Sequence, residues 1–115
     1  MAIKVLENVR FKIIPYEMIT MFEAILWAAE RQGVEPTITG AAFENYPKGK
    51  VHDAGYAIDI RIVDIEKPHV YALEIENYLL AVSQHYKVLY GDPKHLDHIH
   101  IGFAWGFLRD NQREA

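Results

Sequence analysis

Two short stretches constrain what this chain can fold into more than any other feature. In Ala57 to Val63 the isoleucines Ile58, Ile60 and Ile62 alternate with Ala57, Asp59 and Arg61. In His98 to Phe103 the residues Ile99, Ile101 and Phe103 alternate with His98, His100 and Gly102. Successive side chains of a β-strand point to opposite faces, so a period of two predicts a strand with one buried face. Pairing the two stretches in one sheet would bring Asp59 and His100 onto a common polar face.

The remaining elements follow from spacing and breakers. Pro15 to Arg31 carries Met18, Phe22, Ile25, Leu26 and Ala29 at helical intervals, with Pro15 at the first turn and Gly33 beyond the end. A second helical pattern opens at Pro68 and runs through Tyr71, Leu73, Ile75, Tyr78, Leu79 and Val82 to near Tyr86. Residues 36 to 50 predict a strand from Thr37 to Thr39 that runs into an open loop, and Lys87 to Tyr90 a short strand stopped by Gly91, Asp92 and Pro93. This order predicts an α+β fold, an antiparallel sheet with two main helices. With 115 residues and no repeat or linker, residues 1–115 read as a single domain.

Composition excludes several functions. The net charge is −4 and no stripe of Lys and Arg is present, so nucleic acid is a poor partner. Lys4, Glu7, Arg10 and Lys12 interrupt the N-terminal apolar residues, which predicts no signal peptide and synthesis in the cytoplasm. No run approaches the roughly 20 apolar residues that a membrane span needs. Cysteine is absent, so a transition metal would have to be held by histidine and carboxylate.

Asp59 and His100 on one face, with His52 just before the first strand, supply two imidazoles and a carboxylate. That set suffices for a catalytic zinc, which uses three protein ligands and leaves a fourth position for water. A base must then take the proton of that water. Asp97, three residues before His100, fits this role if it sits in the turn ahead of the strand. One such residue alone is usually structural; the four together favour a metal site.

His98 shares the His100 face, either as a fourth ligand that closes the site or as a donor to the reacting group. Arg61 shares the Asp59 face, where a guanidinium can bind a carboxylate through paired hydrogen bonds or pair with Asp59 or Glu66. His69, His85 and His95 read as solvated or capping residues without a role. Trp27 and Trp105 read as core or rim.

The stretch His52-Asp-Ala-Gly55-Tyr-Ala57-Ile-Asp59 resembles the His-x-x-Gly-x-Ala-x-Asp motif of peptidase family M15, the D-alanyl-D-alanine carboxypeptidases of the Hedgehog/DD-peptidase fold, and His98-Ile-His100 resembles the closing His-x-His. The resemblance covers roughly residues 36 to 103. It implies zinc ligands at His52, Asp59 and His100, a base at Asp97, and a peptidoglycan peptide as substrate, cut by a carboxypeptidase, a dipeptidase or a phage endolysin acting between L-alanine and D-glutamate. Two places depart from the pattern: Lys50 stands where many members have Ser, and Thr39-Gly40-Ala41-Ala42 where many have a Ser-Gly-Tyr-Arg-like stretch. An aspartate base resembles the phage members, which implies that this protein, made in the cytoplasm, would act on the cell wall after release. The rival expectation is a non-hydrolytic zinc module on the same fold, with a binding or assembly role.

Overall fold

The computed structural model describes residues 3–9, 11, 14–45 and 54–104, with the side chains of 42–45, 54, 55 and 104 left aside. The element order is β1 (Lys4–Val5), α1 (Tyr16–Gln32), β2 (Thr37–Asn45), β3 (Ala54–Arg61), α2 (Pro68–Leu80), β4 (Tyr86–Leu89) and β5 (His98–Ala104). The fold is α+β: two helices on a five-stranded sheet of order β1-β2-β3-β5-β4.

The sheet is mixed, which corrects the expectation of a purely antiparallel one. β2, β3, β5 and β4 pair antiparallel in that order, but β1 joins β2 in parallel, Lys4 opposite Thr37 and Val5 opposite Ile38. The reason is connectivity: α1 lies between β1 and β2 in the chain, and a helical crossover returns the chain in its original direction. Charged Lys4 and Glu7 in so short a segment concealed the strand.

β2 also runs past the expected Thr39 to Asn45. A register irregularity between Ile38 and Gly40 absorbs the break, and pairing then continues from Gly40 opposite Asp59 to Asn45 opposite Ala54. At the C-terminus of α1, Gly33 adopts φ +70°, its N–H bonding to the Glu30 carbonyl and that of Val34 to the Ala29 carbonyl.

α2 stops at Leu80, short of the expected end near Tyr86. The Ser83 hydroxyl accepts the His85 backbone N–H at 3.1 Å, a local bond that competes with continued helix. Val82 and Leu73 are exposed, whereas Tyr86 opens β4, buried, its hydroxyl donating to the Glu17 carbonyl at 2.7 Å.

The core lies between the helices and one face of the sheet. Ile38, Ile58, Ile60, Ile99 and Ile101 are buried there against Met18, Met21 and Ile25 of α1 and Tyr71, Ile75 and Leu79 of α2. Burying one such side chain contributes about 1.5 to 3 kcal/mol. Among the described residues, no helix is long and apolar enough to cross a membrane.

Candidate metal and catalytic site

β3 and β5 pair with Ile58 opposite Ile101 and Ile60 opposite Ile99, which fills the core face. The same register sets Asp59 opposite His100 and Arg61 opposite His98 on the other face. Side chains directly opposite on one face lie within contact distance. His100 Nδ1 stands 2.8 Å from Asp59 Oδ1, a hydrogen bond between two of the three expected ligands. The third, His52, lies outside the described residues.

Gly40 makes room for this pair. It stands opposite Asp59 on β2, and a Cβ built there would lie 3.2 Å from Asp59 Oδ2. Asp59 therefore leans over a bare backbone on one side and meets His100 on the other. Burial raises the Asp59 carboxyl pKa, but the His100 hydrogen bond and the His100, His98 and His95 imidazoles together hold it below its ordinary value.

Asp97 sits in the bend just before β5 begins at His98. Its Oδ1 accepts from His98 Nδ1 at 2.7 Å, and this bond chiefly holds the Asp97 carboxyl below its ordinary value. The other ring nitrogen, His98 Nε2, lies 3.8 Å from Asp59 Oδ1. His98 thus spans the two carboxylates. Arg61 is exposed at the end of β3, and among the described residues no carboxylate pairs with it.

The residue that sequence reasoning passed over is His95. Its ring centroid lies 5.2 Å from that of His98 and 5.4 Å from that of His100, so the structure groups three imidazoles around Asp59. The available signal was the Asp92-x-x-His95 spacing across Gly91 and Pro93, which lets the aspartate reach the imidazole within one turn. His69 and His85 stand elsewhere, against Tyr90 and Phe103. Trp27 is 41% exposed, which places it on the rim, and Trp105 lies outside the described residues.

Among the described residues, no group of three or more His, Asp or Glu side chains is arranged to hold a metal ion. The two expected ligands among them are a carboxylate and an imidazole, donor types that zinc takes, and they meet at a hydrogen-bond distance of 2.8 Å. In the metal-free pair one proton fills the gap, since a carboxylate only accepts. Comparisons with family models, curated proteins and solved structures return no match.

Proposed function

We propose that this chain is a zinc-dependent peptidase of the M15 type, on a Hedgehog/DD-peptidase-like fold, that hydrolyses a peptide bond of bacterial peptidoglycan. The register that sets Asp59 against His100, with the Asp97–His98 pair beside them, carries this reading. Asp59, His100 and His52 would hold the metal. Zinc in such a site lowers the pKa of a water toward about 7 and polarises the carbonyl under attack.

The protein's own groups supply the rest. Asp97, ionised at neutral pH, accepts the water's proton at Oδ and passes it to the departing amine. His98, hydrogen-bonded to Asp97 through Nδ1, fixes the direction of that carboxylate. Arg61, directly across the strand pair from His98, offers two parallel N–H bonds to a peptide carboxylate, which suits a D-Ala-D-Ala terminus or the side chain of D-glutamate.

The Asp97–His98 hydrogen bond leaves His98 Nε2 facing Asp59, so His98 as a fourth ligand in a binding or assembly module is the second reading. The deciding experiment is digestion of purified peptidoglycan, with and without a chelator, followed by mass spectrometry of the fragments. A chelator-sensitive cut at a D-Ala-D-Ala or L-Ala-D-Glu bond is expected. Zinc binding without any cut would favour the binding or assembly module.

A further inference from the structure

The turn between β4 and β5 is more tightly built than a connecting loop requires. Gly91, at φ +95°, donates its N–H to the His95 carbonyl at 2.8 Å, and the His95 N–H bonds to the Asp92 carbonyl at 3.0 Å. Asp92 Oδ1 accepts the Lys94 N–H at 3.0 Å and also meets His95 Nδ1 at 2.6 Å. Backbone and ring of His95 are therefore fixed together. Its side chain is only 16% exposed although the turn around it faces solvent, and the His98 and His100 rings lie 5.2 Å and 5.4 Å from it.

His98 and His100 are two residues apart on one strand and share a face. The His95 ring meets the first edge-on, at an interplanar angle of 62°, and the second at 52°. An imidazole rotates about a broad two-fold torsion, and a half-turn exchanges Nδ1 for a carbon. The hydrogen bonds to Asp97 and Asp59 favour the flip with Nδ1 toward the carboxylate, and a ring packed against both imidazoles adds to that preference.

We propose that Asp92 and His95 form a positioning brace: Asp92 locks His95 as a wedge against the His98 and His100 rings, so that each keeps Nδ1 on its own aspartate. Its consequence for metal affinity rests on the zinc reading above, but the brace acts in the metal-free protein too. Groups that orient ligand histidines typically change metal affinity by about 10- to 100-fold when lost.

The test is imidazole ¹⁵N NMR of the metal-free protein under conditions that keep the rings neutral, joined to zinc affinity by competition with a chromophoric chelator. In His95→Ala, the distinct Nδ1 and Nε2 shifts of His98 and His100 should move toward averaged values, and zinc should bind about 10- to 100-fold more weakly. Asp92→Ala, at an exposed position, should do the same if the first variant folds poorly. Lys94→Ala, in the same turn, should change neither readout. Unchanged His98 and His100 shifts in both variants would overturn the brace. Altered shifts with unchanged zinc affinity would keep the brace and overturn its effect on metal affinity; no zinc binding by the parent protein would keep the brace and overturn the zinc reading.

Discussion

Replacing Gly40 by alanine should separate the stability of the fold from the competence of its site. The new Cβ would sit 3.2 Å from Asp59 Oδ2, 3.6 Å from its Cβ and 3.7 Å from its Cγ. Only the first contact is tighter than ordinary packing, so the carboxylate must move by a few tenths of an ångström. Metal–ligand distances tolerate about 0.2 Å, so this shift costs the site about 1 to 2 kcal/mol, or ~10-fold in zinc affinity. The fold should not suffer. Gly40 does not use a positive φ, and Gly→Ala at such a position stabilises by about 0.4 to 1 kcal/mol through the unfolded chain. Chelator competition should thus report weaker zinc while urea unfolding of the metal-free protein reports equal or greater stability. Parental zinc affinity in a folded Gly40→Ala protein would refute the claim that Asp59, as it leans over Gly40, is a ligand.

Other expectations are as direct. Asp97→Asn should lower turnover of peptidoglycan fragments by ~10²- to 10⁴-fold while leaving zinc affinity within about two-fold; retained turnover would remove Asp97 as the base. Because the Asp59 pKa is held below its ordinary 3.8, its contribution to metal-free stability is present above that pH and is lost as pH falls through the lowered value. Asp59→Asn should flatten this acid limb, measured by urea unfolding at pH 5 and pH 3. Burial pushes the Tyr86 hydroxyl up to about 12 and that of Tyr71 higher still, so stability should hold below pH 10 and fall as pH rises beyond it. Tyr71 OH is buried and finds no partner among the described residues, so Tyr71→Phe should stabilise by about 1 kcal/mol and Tyr86→Phe, which breaks the bond to Glu17, should destabilise by a similar amount in thermal melts.

How much of this was legible in the sequence depended on the range of the forces involved. The alternation at 58–62 and 98–103 gave both strands, their buried faces and the Asp59–His100 encounter, because burial of isoleucine dominates and acts residue by residue, although β3 spans Ala54–Arg61 rather than the expected Ala57 to Val63, where Val63 is exposed. β1 was not legible: its two residues, Lys4 and Val5, are exposed and form a strand only because α1 returns the chain beside them. The end of α2 was misplaced because apolar Val82 and Tyr86 continue the helical period while Ser83 diverts the backbone. His95 escaped notice for a related reason, since its position rests on a turn of four hydrogen bonds that no periodicity records.

The site is bound to the core more closely than a loop-borne site would be. A one-residue slip of β5 against β3 would reverse every side chain, turning Ile99 and Ile101 outward and pressing His98 and His100 into the helices. Exposing two fully buried isoleucines costs about 3 to 6 kcal/mol, and forcing two polar rings into an apolar core adds about 1 to 3 kcal/mol for each ring left without a partner. Against a total stability of about 5 to 15 kcal/mol, that gap leaves the slipped register unpopulated. The pattern that specifies the core therefore also specifies which polar groups meet on the opposite face. Substitutions at neighbours such as Gly40 and His95 can then shift Asp59 and His100 without loosening the strands that bring them together.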